Sequence, residues 1–249
     1  LLLWLTGLYL RLTVLVAPPL APHIARDLDL GQAATGALTT LPILMLAVAG
    51  LAASWLISRI GARRTLITGL LLVVVSSSAR GLGDAPMLFI ATAVMGIAIA
   101  GIQPALPTLL TEWWPSRIAM GTAIYMNGML IGEVVGSTLT LPVMLPLANG
   151  DWRLALVYWS LPALIPALSI RLLSPVSRAF ENDTGHWLPD WRRPLMWKLG
   201  ILLGASGSIF FGINAYMGSV LGGRGEDALL PVALVMFNTT QIAASLIMF

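Results

Sequence analysis

The chain of 249 residues contains no cysteine and only two histidines, His23 and His186, which lie far apart in the sequence. These absences exclude disulfide bridges, cysteine nucleophiles and cysteine or histidine metal clusters, so we expect no metal and no cofactor. Charge is also scarce, since Asp, Glu, Lys and Arg make up 10% of the residues, against about 25% in soluble domains. Hydrophobic residues make up 57% of the chain and its mean hydropathy is +0.87. An all-α integral membrane protein is therefore predicted, and we expect no nucleic-acid partner.

Eight apolar runs are long enough, or nearly so, to cross a bilayer as helices, which takes about 20 residues. They are residues 1–22, 36–57, 65–78, 86–110, 118–147, 154–173, 195–221 and 228–249. The third run is short unless it continues through Arg80, and the fifth is long enough to end in an irregular turn at Pro142. All eight are predicted to be helices, because an open strand edge in lipid would leave backbone groups unpaired.

The basic residues predict the orientation and the division of the chain. If the end of the second run is cytoplasmic, nine Arg and Lys residues lie on the cytoplasmic side and four, including Arg80, lie on the opposite side. Arg11, within the first run, is the last of the 14 basic residues. The positive-inside rule therefore predicts a cytoplasmic N-terminus. The polar stretch 174–194 is predicted as a cytoplasmic linker between an N-terminal six-helix bundle, 1–173, and the first two helices of a truncated second bundle, 195–249. Trp187 and Trp191 leave two forms open for this linker, a short helix on the membrane surface or a solvated tether.

Only two charged residues, Arg11 and Glu133, lie deep in the apolar runs. Arg11 lies about 16 Å from the end of its run, near the middle of a core about 30 Å thick, and Glu133 reaches a similar depth. A charge there costs about 2.5–3.5 kcal/mol and usually faces a cavity or an opposite charge. One interpretation is a structural ion pair, and the other is that Arg11 binds an anionic or polar substrate through its planar fork. The two are compatible, because a proton arriving on Glu133 would release Arg11 and couple proton movement to solute movement.

Neutral polar side chains at comparable depth complete the candidate substrate site. They are Gln103, Tyr125, Asn127 and Asn214. Each of them alone is also explained by a hydrogen bond between helices. Asn214 is the strongest candidate, because it is central in a glycine-rich run.

Glycine and proline predict where the helices approach or bend. Gly128, Gly132 and Gly136 follow one another at intervals of four, so one face of the fifth run lacks side chains and admits another helix closely. Pro18 and Pro19 are expected to interrupt the hydrogen bonding of the first run near its outer end.

The loop after the second run carries a motif, SWLISRIGARR at residues 54–64. It resembles the loop between the second and third helices of the major facilitator superfamily, in which a basic cluster contributes to gating. The positions that match are Arg59, Gly61, Arg63 and Arg64. Ser54 replaces the first glycine of the family pattern and Ser58 replaces its acid. Since that acid serves to latch the two halves together, the latch is in doubt here, and a topology signal alone explains the basic cluster.

Four further stretches are similar to the cyanate transporter branch of this superfamily, which includes 2-nitroimidazole transporters. They read LRLTVLVAPPL at 10–20, LTTLP at 38–42, GIQPALP at 101–107 and WSLPA at 159–163. The resemblance implies a fold of twelve helices, of which eight are present here. It also implies that the first, fourth and seventh helices line a central cavity, which places Arg11, Gln103 and Asn214 there. The role of Glu133 rests on its depth alone.

The residues and the resemblance together predict a monomeric permease of the bacterial inner membrane. It is expected to lie in the lipid bilayer and to move a small anionic or polarised solute by alternating access. The proton is the candidate coupling ion. The alternatives are a proton-coupled exporter of amphipathic drugs, a channel, and an intramembrane enzyme. The enzyme has little support, because the eight runs hold no pair of histidines or of carboxylates at one depth, and no catalytic residue is assigned.

Overall fold

The computed structural model describes residues 1–174 and 192–247, and the regular structure within these ranges is entirely helical. A helix occupies each of the eight predicted positions. Seven are long and apolar enough to cross a membrane: Leu2–Asp27, Gln32–Ile60, Ala62–Ala79, Ala85–Trp113, Pro115–Leu147, Trp152–Leu173 and Pro194–Gly223. The eighth is Leu230–Ile247. We number them as the first to the eighth span.

Several spans are longer than the apolar runs that predicted them, because polar residues at the ends of a span can also be helical. The third span runs over Ala62–Ala79 instead of the predicted 65–78. Gly61 alone separates it from the end of the second span, and its φ of +85° is a conformation that favours glycine. A reversal of one residue thus joins two long helices. We call the side of the molecule at this reversal the basic face, and it is the side predicted to be cytoplasmic.

The first span is broken in its middle. It consists of helix α1, Leu2–Leu15, and helix α2, Ala17–Asp27, with Val16 between them. Pro18 and Pro19 stand in the first turn of α2 and have no N–H to donate to the carbonyls four residues before them. The C-terminal end of α1 therefore lies inside the protein with part of its backbone hydrogen bonding missing.

The fifth and sixth spans are interrupted as well. A π-helical turn, Thr140–Met144, follows Ile118–Leu139 in the fifth span and contains Pro142, so the predicted irregular turn is confirmed. A 3₁₀ turn containing Pro162 divides the sixth span. Its two helices are Trp152–Ser160 and Leu164–Leu173.

The first and fifth spans pack backbone against backbone along the predicted glycine stripe. A Cβ placed on Gly132 would overlap the carbonyl oxygen of Leu8, and one placed on Gly7 would overlap the carbonyl oxygen of Tyr125. The prediction that these glycines serve helix packing is confirmed. Because Glu133 follows Gly132 directly, this seam fixes the distance between Glu133 and the first span.

The seventh and eighth spans pack onto the first six. The seventh contacts the second span and α2, and the eighth contacts the fifth. At this contact a Cβ on Gly36 would lie 3.6 Å from the hydroxyl of Tyr216. Residues 175–191 of the predicted linker lie outside the described residues, so the two forms considered for Trp187 and Trp191 stay predictions.

Candidate functional site

A cavity lies between the first, second, fourth, fifth and seventh spans. Its lining residues are Leu10, Arg11, Val14, Pro42, Ile43, Leu46, Ile99, Gln103, Met129 and Phe211. Arg11 and Gln103 are the two polar side chains among them. The volume of the cavity, measured as the space that the centre of a water molecule can occupy, is about 60 Å³. One water needs about 10–15 Å³ by this measure. The cavity thus holds a few waters or a small solute, and an apolar wall with few polar groups is typical of a ligand site.

Arg11 and Glu133 form an ion pair at the wall of this cavity. The Nε of Arg11 lies 3.3 Å from the Oε1 of Glu133, and the two side chains are 25% and 6% exposed, respectively. The second carboxylate oxygen of Glu133 is buried and has no hydrogen-bond partner. Arg11 therefore faces the cavity with Glu133 behind it. A substrate entering the cavity would meet the guanidinium first.

Phe211, from the seventh span, covers the guanidinium of Arg11. The Cζ of Arg11 lies 4.9 Å from the centre of the ring, which is within range of a cation–π contact. Phe211 was not among the residues predicted to line the cavity. Its position three residues before Asn214 in the middle of the seventh run was the available signal. Through this ring the seventh span contributes to the cavity.

Gln103 lines the cavity as predicted for the fourth span, whereas Tyr125 and Asn127 are placed elsewhere. Tyr125 is half-buried against apolar side chains of the core. The Oδ1 of Asn127 accepts a hydrogen bond of 2.9 Å from the indole nitrogen of Trp4, near the basic face. These two residues belong to the seam between the first and fifth spans and are not among the lining residues of the cavity.

Asn214 lies between the seventh and eighth spans, not among the lining residues. It is 2% exposed, and its Oδ1 accepts a hydrogen bond of 3.1 Å from Nδ2 of Asn238, which is also buried. Its own Nδ2 donates to the carbonyl of Phe210 at 3.0 Å. Both amides thus serve contacts within and between helices in this structure.

The loop motif links the reversal at Gly61 to the end of the sixth span. Arg63 donates from Nε to the hydroxyl of Ser174 at 2.7 Å, and from Nη2 to the carbonyls of the last turn, including that of Arg171 at 2.7 Å. A cation at a helix C-terminus is favourable. Arg59 lies over the ring of Trp55 at 5.7 Å, and Arg64 is exposed. In this structure Arg63 ties together elements within the first six spans.

Arg80 is buried, although the sequence analysis counted it among the residues that flank spans. Its relative exposure is 0%, and its Nη1 donates to the carbonyl of Thr13 at 3.1 Å. Arg80 does follow directly after the end of the third span at Ala79, but its side chain lies inside the bundle and not at the surface. The shortness of the predicted third run was the signal that the helix continues to Ala79.

The sequence of this chain matches the model of the Major Facilitator Superfamily over residues 3–249. The chain belongs to this superfamily. Membership agrees with the seven helices that are long and apolar enough to cross a membrane. Among its curated relatives are the 2-nitroimidazole transporter of Escherichia coli (strain K12), 32% identical over 85% of this chain, and the cyanate transport protein CynX of the same organism, 24% identical over 100% of it. The resemblance to the cyanate and nitroimidazole branch is thus confirmed. An uncharacterized transporter of Bacillus subtilis (strain 168), YycB, is 29% identical over 88% of the chain.

The chain spans just over half the length of two of these relatives, 54% of each, and 65% of the cyanate transport protein. Its fold is that of solved transporters. A bacterial homolog of the human lysosomal transporter Spinster matches 94% of this chain and 56% of its own length, with a TM-score of 0.72 at 20% identity. The D-xylose–proton symporter matches 98% of this chain and 67% of its own length, with a TM-score of 0.67 at 17% identity.

Proposed function

We propose that this superfamily member moves a small anionic or strongly polarised solute across the membrane by alternating access, with Arg11 as the group that binds it. The observation that carries the proposal is the position of Arg11 in the cavity wall. Its charge is permanent, its fork suits oxygen acceptors, and its side chain lines the cavity and is 25% exposed.

Glu133 is proposed to couple this binding to protons. A carboxylate that is buried with one unpartnered oxygen is costly unless its charge is compensated, and Arg11 supplies that compensation here. Protonation of Glu133 would release Arg11 for the solute. An anion arriving at Arg11 would in turn favour the protonated state of Glu133, so the two bind together.

The names of the relatives suggest which solutes to test. One is named for cyanate, a small anion, and the other for 2-nitroimidazole, a polarised ring. An arginine beside an apolar wall accommodates both kinds of molecule. We propose that the substrate of this chain belongs to this range, that the chain lies in the bacterial inner membrane with its N-terminus cytoplasmic, and that it acts as a monomer.

Uptake into proteoliposomes tests the binding role. The protein is prepared as its gene encodes it, and uptake of [¹⁴C]cyanate and of 2-nitroimidazole is measured for the wild type, Arg11→Lys and Arg11→Leu. We expect saturable uptake by the wild type, a weaker apparent affinity with lysine, and loss of uptake with leucine. Arg117→Gln is the matched control, because Arg117 is exposed at the basic face outside the cavity. Uptake with unaltered affinity in Arg11→Leu would remove the basis of the proposal.

A proton gradient tests the coupling role separately. Wild-type uptake is expected to respond to an imposed gradient, whereas Glu133→Gln, which resembles the protonated carboxyl, is expected to transport without that response. If Glu133→Gln still follows the gradient as the wild type does, another group couples transport. A preference for apolar cations that does not depend on Arg11 would instead favour a drug exporter.

A further inference from the structure

Arg80 makes unusual contacts for a residue in the middle of a helical bundle. Its guanidinium is fully buried between the third, first and fourth spans. Nη1 contacts the carbonyl oxygen of Thr13 at 3.1 Å and the sulfur of Met95 at 3.5 Å. Nε and Nη2 are buried without a hydrogen-bond partner, and among the described residues no carboxylate lies within ion-pair distance of Arg80.

Such an arginine weakens the fold on its own account. A buried charged group with unpartnered donors loses its hydration, and protein hydrogen bonds do not offset that loss of free energy. An apolar side chain of similar volume would fill the space without this desolvation penalty. The Arg11–Glu133 pair does not share this problem, because each charge there has its opposite. Arg80 therefore needs an explanation outside the stability of the bundle.

The contact with Thr13 supplies one. Thr13 lies in the last turn of α1, and the prolines of α2 leave the two carbonyls that follow it, those of Val14 and Leu15, without their helical donors. The C-terminal end of a helix carries a partial negative charge and favours a cation. Arg80 places its positive charge beside this interrupted turn and donates a hydrogen bond to it, so it holds the end of α1 in position.

The arginine proposed to bind the substrate lies directly before this turn. Arg11 lies two residues before Thr13, which is about 3 Å along the helix axis. The depth and rotation of the α1 end therefore set where the guanidinium of Arg11 enters the cavity. In enzymes a 1 Å misplacement of a reacting group costs up to about a hundredfold in rate, and we expect an oriented contact between a guanidinium and a solute to depend on position as well.

We infer that Arg80 is a positioning residue for the transport site, which holds the end of α1 and thereby presents Arg11 to the solute. This inference rests on the proposed binding role of Arg11. A positioning role explains why the uncompensated charge of Arg80 is buried against the first span, because Arg80 then contributes to the geometry of the site and not to the stability of the fold. Arg80 itself does not touch the cavity.

Two substitutions separate positioning from a structural role. Arg80→Met removes the charge and all five N–H donors but retains much of the apolar volume, and Arg80→Lys keeps a cation that reaches the same carbonyl. KM for uptake of [¹⁴C]cyanate, with 2-nitroimidazole in parallel, is measured in proteoliposomes, and Tm is measured on the purified protein. For Arg80→Met we expect KM to rise about tenfold or more, while Tm stays the same or rises. For Arg80→Lys we expect KM within a few-fold of the wild type.

The lysine variant and Tm decide between the outcomes. A fall in Tm for Arg80→Met with wild-type KM in the protein that inserts would mean a structural role and overturn the inference. The inference would also be overturned if KM rose as much in Arg80→Lys as in Arg80→Met, or if KM stayed at the wild-type value in both variants. Arg11→Leu is measured in the same series: if it too leaves KM unchanged, the proposed function fails, whereas an effect of Arg11 alone rejects only the role of Arg80. Arg117→Met, on the exposed surface, is expected to change neither quantity.

Discussion

Replacing Arg11 and Glu133 singly and together distinguishes a structural ion pair from a pair that also carries transport. Arg11→Leu leaves the carboxylate of Glu133, which is 6% exposed, without its partner. Glu133→Leu leaves the guanidinium of Arg11 without its partner; the Arg11 side chain is 25% exposed, and its guanidinium lies against the ring of Phe211. The remaining group is the more deeply buried one in the first case, but a carboxyl can take up a proton and become neutral, whereas a guanidinium keeps its charge. Each single variant should therefore destabilise the protein, and raising the pH should enlarge the loss in Arg11→Leu, because the remaining carboxyl of Glu133 is then ionised.

The size of the loss follows from burial. Removing one partner of a fully buried pair costs about 3–5 kcal/mol, because the other charge is left uncompensated. The partial exposure of Arg11 to water and the ability of Glu133 to take up a proton both lower this figure, so we expect about 1–3 kcal/mol for either single variant. In the double variant no charge remains, and stability should return to within about 1 kcal/mol of the wild type. At about 2–4 °C per kcal/mol for a chain of this size, either single variant should lower Tm by about 2–12 °C.

The assay combines thermal unfolding of the four purified proteins with uptake into proteoliposomes. The expected result is that the double variant regains the Tm lost by Arg11→Leu but regains no uptake of [¹⁴C]cyanate or 2-nitroimidazole. Recovery of both stability and uptake would refute the functional role, since the pair would then serve the fold alone. Additive losses of Tm would refute the ion pair itself, because coupled residues in contact do not add.

Two further substitutions test the packing and the placement of the polar side chains. Gly132→Ala should destabilise the protein by about 1–3 kcal/mol, because the added Cβ overlaps the carbonyl of Leu8. Gly207→Ala, with open space around it, should have no such effect. Thermal unfolding in detergent compares the two variants, and equal Tm values would contradict the close packing of the first and fifth spans. Asn214→Ala should lose about 0.6–1.7 kcal/mol of stability through its hydrogen bond to Asn238 and leave KM for the solute unchanged. A large rise in KM with little loss of Tm would instead return Asn214 to the binding site.

The sequence identified the Arg11–Glu133 pair because charge is so rare in the chain. Depth in a membrane follows from counting residues along a run, and two opposite charges at one depth suggested a contact that the structure shows at 3.3 Å. The glycine stripe was equally readable, since small residues at intervals of four leave little alternative to close packing. Both features depend on one helix at a time and on simple spacing.

The features that sequence reasoning missed depend on how helices are rotated and bent. Phe211 and Asn214 share one span, but only the first lines the cavity, and a glycine-rich helix without a polar face gives no clue to its rotation. Arg80 was assigned to a span flank because a charge after a short apolar run usually lies in the interface. Its burial results from the extra length of the third span and from the break in the first span, where a free helix end meets its side chain.

Equilibrium binding of [¹⁴C]cyanate and of 2-nitroimidazole to the purified wild type, Arg11→Lys and Arg11→Leu tests the central claim most directly, because it measures the site without the transport cycle. If Arg11 binds the solute, the wild type should bind at least one of these compounds, lysine should weaken the Kd, and leucine should weaken it by about tenfold or more, the loss of one charge-assisted contact. An equal Kd for the wild type and Arg11→Leu, in proteins that both remain folded, would contradict the account.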